Sequence, residues 1–202
     1  FQTEFPTSVV SVHQIEIIYI PKKYVWAIFW MLSKYLRKVR GARNMTITAG
    51  DIAPDFTLLD SDSNEFNLSD LDGSWKVVFF YAKDGSPTCK RGCLSFKEQY
   101  ELFRSLTPPA EVIGISQDST SDHKEFKEEL GLPFPLLSDS DRTVAELFGV
   151  ANYLGQFPAK SSFVIGPDRQ IHYVYDWLFR PRNHVAKILA AMSDVTERGD
   201  FK

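Results

Sequence analysis

The stretch Trp75-Lys76-Val77-Val78-Phe79-Phe80-Tyr81-Ala82-Lys83-Asp84-Gly85-Ser86-Pro87-Thr88-Cys89-Lys90-Arg91-Gly92-Cys93 decides how the chain is read. Its first seven residues form a nearly unbroken apolar run, the pattern of a strand buried on both faces of a sheet. Helical character begins at Ser86-Pro87: serine suits the N-cap, and proline suits the first helical position, where its missing N–H would have had no partner anyway. A helical stretch from Pro87 to about Leu106 leads to a second buried-strand run, Glu111-Val112-Ile113-Gly114-Ile115-Ser116. Strand, helix, strand predicts parallel pairing through a right-handed crossover.

Working outward, Ser121 to Leu130 reads as a charged helix with Ser121 or Ser119 as cap and Gly131 as stop, and a short helix follows at about Arg142 to Phe148. The runs Ser162-Phe163-Val164-Ile165 and Ile171-His172-Tyr173-Val174-Tyr175 flank Gly166-Pro167-Asp168-Arg169, a hairpin signal. A last helix is expected from about Pro181 to Ser193. A βαβ half followed by a hairpin and a terminal helix predicts an α/β, thioredoxin-like fold, a central mixed sheet flanked by helices, over residues 45–202.

Residues 1–44 read as a separate extension. They hold a β-like run, Ile15-Glu16-Ile17-Ile18-Tyr19-Ile20, then Pro21 and a helical segment from Lys22 to about Arg43. Tyr24 to Leu32 is apolar on every side and is followed by Lys34, Arg37, Lys38, Arg40 and Arg43. This run is too short to span a bilayer, which takes about 20 apolar residues. Its aromatic and cationic ends fit a membrane interface, a membrane-protein complex, or a fold back onto the chain's own domain. The chain opens on Phe1 rather than Met, so a processed protein or part of a longer one is expected.

Bulk composition narrows the function. The 202 residues are 44% hydrophobic with a formal net charge of -3, which provides for one real core and no overall positive field to hold nucleic acid. Two cysteines are too few for a secreted disulfide scaffold. Their spacing, C-x3-C, is neither the C-x2-C of a dithiol oxidoreductase nor half of a zinc set, and His13, His123, His172 and His184 are scattered. A reactive pair and a buried structural pair both fit the spacing.

The surroundings favour a reactive thiol. Cys89 falls in the first turn of a helix at the carboxyl edge of a parallel sheet, where open α/β folds place their sites. Unpaired N–H groups and the helix dipole there favour an anion, and Lys90 and Arg91 add positive charge, so the thiolate of Cys89 is favoured. A thiolate attacks a peroxide O–O bond to give a sulfenic acid, which a neighbouring thiol captures as a disulfide. Cys93 lies four residues on, about 5–6 Å away between Cβ atoms on an intact helix, whereas a disulfide needs about 3.5–4.5 Å. The first turn is therefore expected to loosen on oxidation.

These residues resemble the peroxiredoxins, specifically the Q type, also called bacterioferritin comigratory protein. The resemblance runs from about Met45 to Met192. It is carried by Gly50-Asp51-Ile52-Ala53-Pro54-Asp55-Phe56, Phe79-Phe80-Tyr81, Ser86-Pro87-Thr88-Cys89, Ala110 to Ser116, His123-Lys124-Glu125-Phe126, Leu132-Pro133-Phe134 and Leu136-Leu137-Ser138-Asp139. It implies that Cys89 is the peroxidatic cysteine, that Ser86 is the active-site hydroxyl contacting the peroxide, and that Lys160 stands where the family has its catalytic arginine. Ala82 stands in place of the usual active-loop proline. Cys93 is four residues after Cys89, where many Q-type members have the resolving cysteine five after.

The resemblance implies a thiol peroxidase acting on hydrogen peroxide or organic hydroperoxides, with a thioredoxin-like reductant and no metal, haem, flavin or nicotinamide cofactor. It also implies a plastid location, with thylakoid association through Tyr24 to Arg43 as a further expectation and the cytoplasm as the alternative. The departures at Ala82, Lys160 and Cys93, together with the extension, raise a second expectation: a catalytically weakened docking subunit of a membrane-associated complex. The electrostatic reading requires an ionised sulfur at Cys89 near the Lys160 ammonium, and a sulfur sealed in hydrocarbon or a Lys160 on a distant face would undercut it.

Overall fold

The computed structural model describes residues 47–150, 152–153, 157–158, 160–176 and 181–198. The β-like run at 15–20, the helical segment at 22–43, the anchor from Tyr24 to Arg43 and the boundary at residue 44 lie outside them. No helix among the described residues is long and apolar enough to cross a membrane.

The chain runs through β1 (Thr57–Asp60), β2 (Glu65–Asn67), a 3-10 turn (Leu68–Leu71), β3 (Trp75–Phe80), α1 (Pro87–Glu98), α2 (Tyr100–Arg104) and β4 (Ala110–Ser116). It continues through α3 (Thr120–Leu130), β5 (Leu136–Ser138), α4 (Thr143–Leu147), β6 (Asn152–Tyr153), β7 (Phe157–Pro158), β8 (Ser161–Ile165), β9 (Ile171–Asp176) and α5 (Pro181–Arg198). Seven strands form one sheet in the order β2-β1-β5-β4-β3-β8-β9, with β6 and β7 paired separately.

Strand β3 is buried at all six positions, as its apolar run predicts, and it lies between two partners. It pairs parallel with β4, from Trp75 opposite Ala110 to Phe80 opposite Ile115, and antiparallel with β8, from Lys76 opposite Ile165 to Phe79 opposite Ser162. The expected βαβ unit and the β8-β9 hairpin are both present. Because β3, β4 and β5 step across the sheet in one direction, right-handed crossovers put α1 and α3 on the same face. Odd-numbered side chains of β3 meet α1, α3 and α5 there, with Val77 and Phe79 in one cluster with Phe96, Phe126 and Ile188. Even-numbered ones join the opposite core, with Val78 and Phe80 beside Phe148 and Phe163.

The expected helices differ from the observed ones mainly at their ends. Gln99 leaves helical geometry (φ -112°, ψ 11°), so the single helix expected to Leu106 is two, α1 and α2. Ser119, one of the two expected caps, accepts from the Asp122 N–H while Asp122 reaches back, a reciprocal capping box. Gly131 ends α3 at φ 58°, a left-handed turn that suits glycine. Strands β1, β2 and β5 carry no strand signal in the sequence; at three or four residues each they are too short for a period to register.

The end of the sheet away from the cysteines is held by charge. Lys76 is fully buried, its ammonium donates to Asp72 at 3.2 Å, and Arg169 lies 3.4 Å from Asp55 and 4.0 Å from Asp72. Burial lowers the Lys76 ammonium from its ordinary range, and Asp72 draws it back up.

Gly114 lets the layers close. A Cβ built there would lie 2.7 Å from Leu136 Cδ2 and 2.8 Å from Phe79 Cζ, both deep in the core. Gly114→Ala should therefore overpack the sheet and cost about 1–3 kcal/mol, read as a lower urea midpoint with an unchanged m-value.

Candidate active site

Helix α1 starts where β3 ends. The Tyr81 N–H still donates to the Ile115 carbonyl at 3.0 Å, continuing the β3-β4 ladder one residue beyond the strand. Residues 82–86 then turn the chain into α1, with Ser86 at the N-cap, Pro87 first in the helix and Cys89 third. Ser86 holds the expected place but makes no side-chain cap hydrogen bond; its carbonyl accepts from the Lys90 N–H at 2.8 Å. Its hydroxyl is thus not committed to the helix.

Both cysteines are free thiols and both are completely buried. Cys89 and Cys93 belong to the same apolar cluster as Phe79, Tyr81, Phe96 and Phe126. Phe96 stacks on Phe79 with ring centroids 4.5 Å apart, which presses α1 onto β3. The helix N-terminus expected around Cys89 is present, but the sulfur is sealed within an apolar cluster, the condition that undercuts the expected ionised Cys89 in this closed arrangement. A peroxide reaches the sulfur only if the 82–86 loop or the first turn of α1 moves.

Lys160 is buried just before β8. Phe79 pairs with Ser162, so continuing the antiparallel register by two residues sets Lys160 across from Tyr81, at the sheet edge where the cysteine loop departs. Ala82 is partly buried against the same cluster. The fold therefore brings Ser86, Cys89, Cys93, Lys160 and Ala82 to one edge.

A polar network underlies this edge. Tyr81 Oη donates to Asp84 Oδ1 at 2.7 Å, and Asp84 Oδ2 lies 2.7 Å from His123 Nδ1. His123 Nε2 is 3.1 Å from the Leu137 carbonyl, and the Asp84 N–H donates to Asp118 at 2.8 Å. The Ser116 hydroxyl donates to the same Asp118 oxygen at 2.6 Å. Burial pushes the Cys93 thiol well up from its ordinary value, and the charges of Cys89 and Asp84 add to this. Tyr81 is raised in the same way, by burial first and then by Cys93 and Asp84.

A cleft of about 510 Å³, lined in part by the network's own Asp84 and Asp118, opens between the cysteine loop and α3, with Lys83, Gly85, Phe126 and Glu129 also on its wall. An ion pair between Lys90 and Glu129 bridges α1 to α3, and Lys97 Nζ donates to the Leu130 carbonyl at 2.6 Å.

Comparison with known proteins agrees with this geometry. The AhpC/TSA family pattern matches residues 49–174. Peroxiredoxin Q, chloroplastic, of Oryza sativa subsp. japonica is 37% identical over 150 residues, covering 74% of this chain and 68% of the relative. The chain is a peroxiredoxin of the AhpC/TSA family.

Peroxiredoxin Q, chloroplastic, of Suaeda salsa is 35% identical over 156 residues, covering 77% of this chain and 72% of that one. Among solved structures, peroxidoxin BcpB of Mycobacterium tuberculosis superposes with a TM-score of 0.68 at 31% identity, covering 74% of this chain and 98% of that one. A peroxiredoxin Q of Xylella fastidiosa gives a TM-score of 0.67 at 29% identity over the same shares. The thioredoxin-like fold and the Q-type resemblance expected from the sequence both hold, and the family is one of peroxidase oxidoreductases.

Sequence reading of this peroxiredoxin missed Asp84, Asp118 and the connection of both to His123. One signal was available: His123, Phe126 and Leu130 recur at helical spacing on the buried face of an otherwise charged helix, which puts the imidazole inside.

The raised thiol and phenol make an alkaline weakness. Folded Cys93 and Tyr81 keep their protons to higher pH than the unfolded chain does, so at high pH the folded state binds more protons and stability falls as pH rises. Unfolding free energy should hold steady up to about pH 8 and decline above about pH 9, where a free thiol ionises, with a shallower decline in Cys93→Ser. Alkylation of native Cys93 at pH 8 should be at least ~10-fold slower than in urea, read by mass spectrometry.

Proposed function

We propose that this peroxiredoxin reduces hydrogen peroxide or an organic hydroperoxide through Cys89, with Cys93 as the resolving thiol and a thioredoxin-like dithiol protein as reductant. The convergence of Cys89, Cys93, Ser86 and Lys160 on the carboxyl edge of β3 carries this reading. In the first step the Cys89 thiolate attacks one peroxide oxygen. An S–O bond forms, the O–O bond breaks, and the departing oxygen takes a proton to leave as water or alcohol. Ser86 offers a hydroxyl to the bound peroxide, and the Lys160 ammonium balances negative charge on sulfur and on the departing oxygen.

In the second step the Cys93 thiol, having given up its proton, attacks the sulfenic sulfur. The S–S bond forms as the S–OH bond breaks, and hydroxide takes up a proton as water. Reduction by a dithiol partner then proceeds by thiol-disulfide exchange and restores both thiols. The C-x3-C spacing on one helix supports an intramolecular disulfide. It also requires α1 to unwind at its start, because four helical residues hold Cβ atoms about 5–6 Å apart.

A lysine in the arginine position retains charge but not the rigid two-pronged donor geometry, so turnover is expected to be slower than with a guanidinium. The relatives from rice and Suaeda salsa are named chloroplastic, which supports a plastid location for this protein.

Peroxide consumption with a thioredoxin reductant should vanish in Cys89→Ser. In Cys93→Ser it should stop after one equivalent, leaving a sulfenic acid detectable by intact mass. Lys160→Met should lower kcat/KM by about 10²–10³, the scale of one lost transition-state donor. Peroxidase activity that survives Cys89→Ser would overturn the assignment.

A further inference from the structure

Helix α1 is fastened to the end of α3 at two places. Lys90 forms an ion pair with Glu129, and Lys97 Nζ donates to the Leu130 carbonyl at 2.6 Å. Positions 90, 93 and 97 recur at helical spacing and so lie along one stripe of α1, and the two lysine contacts show that this stripe faces α3. Cys93 sits on it between the lysines, in one cluster with Phe126 and Leu130 of α3.

The two ties differ in kind. Leu130 belongs to the last turn of α3, whose carbonyls the helix itself leaves without donors. The Gly131 and Leu132 N–H groups turn back to Glu128 and Lys127, and the half-buried Lys97 ammonium serves Leu130, so this bond anchors the far end of α1. Lys90 and Glu129, by contrast, are 39% and 58% exposed, and water and salt weaken their attraction.

Lys90 follows Cys89 directly. Its N–H closes the first hydrogen bond of α1, to the Ser86 carbonyl at 2.8 Å. A disulfide between Cys89 and Cys93 requires this first turn to unwind. The Lys90 side chain therefore holds the segment that must move, and Lys97 holds the one that must stay.

We propose that the Lys90–Glu129 pair restrains the first turn of α1 and sets how fast Cys93 closes on Cys89, which makes Glu129 a positioning residue for disulfide formation; this rests on the reading of Cys89 and Cys93 given above. While the pair is intact, the wound helix holds the two sulfurs apart. Once it parts, the turn opens more often, and Lys97 keeps the Cys93 half of the helix against α3. The bonds made and broken are those of the second step above, and only the frequency of opening changes.

Glu129→Gln removes the pair and leaves both cysteines, Ser86 and both lysines in place. Glu128→Gln is the control: it removes the same charge from the next residue of α3, one whose carboxylate lies near Lys124 of the same helix. Reduced protein is given one equivalent of hydrogen peroxide, and sulfenic acid and disulfide are followed by intact mass. Conversion of sulfenic acid to disulfide at low salt should be about two- to fivefold faster in E129Q than in the wild type, the range of an exposed ion pair, and unchanged in E128Q. Raising sodium chloride from about 0.02 M to about 0.5 M should bring the wild type up toward E129Q, which itself stays flat. In the reduced protein, without peroxide, hydrogen-exchange protection of the Lys90 amide should fall by a similar factor in E129Q, while the amides in the last turn of α1 hold.

A disulfide step equally fast in the wild type and E129Q, or equally accelerated in E128Q, overturns the restraint, and so does unchanged protection of the Lys90 amide. Absence of any intramolecular disulfide in the wild type overturns the reading of Cys93 and with it the positioning role. The exchange measurement separates the two failures, because it senses the pair without any cysteine chemistry.

Discussion

A strand with no exposed residue can exist only at the interior of a sheet with both faces covered, and β3 is such a strand. That burial fixes the arrangement around it. Parallel pairing with β4 requires a crossover helix, so α1 begins at the carboxyl edge; antiparallel pairing with β8 starts that strand at the same edge, so Lys160 arrives where Cys89 departs. Lys160 and the segment leading to Cys89, 71 positions apart, thus share one sheet edge through the directions of three neighbouring strands, with no local sequence feature linking them.

The parts of this fold that the sequence revealed are those with a strong local signature. The run from Trp75 to Tyr81, the Ser86-Pro87 helix entry, the Gly131 stop and the turn at 166–169 each state their structure within a few residues. The short strands β1, β2 and β5 do not, because their pairing is decided by partners distant in the chain. In the same way Cys89, Cys93 and Ser86 stand out as a local motif, and Lys160 comes only from the family resemblance, whereas Asp84 and Asp118 look like ordinary loop acids. Their importance comes from a histidine 39 residues beyond Asp84 that reaches back from α3.

Burial of both sulfurs changes how the site must be understood. A helix N-terminus stabilises an anion in place, but a completely covered sulfur also needs a route for substrate and for its own disulfide partner. Enclosure and reactivity are reconciled only by movement of the loop and first turn, and the loop is tied to its surroundings by the contacts of Asp84 with Tyr81, Asp118 and His123. Chemistry and conformational change therefore share the same few residues.

The two ends of β3 are anchored by different means. At one end the buried Lys76 ammonium meets Asp72, and Arg169 links Asp72 to Asp55. At the other, cohesion depends on hydroxyls, an imidazole and two acids whose protons are exchangeable. The sheet is thus cross-linked at one pole by ion pairs and at the other by a chain of side-chain hydrogen bonds running from strand end to helix, so substitutions can rework the second pole while the foundation stays intact.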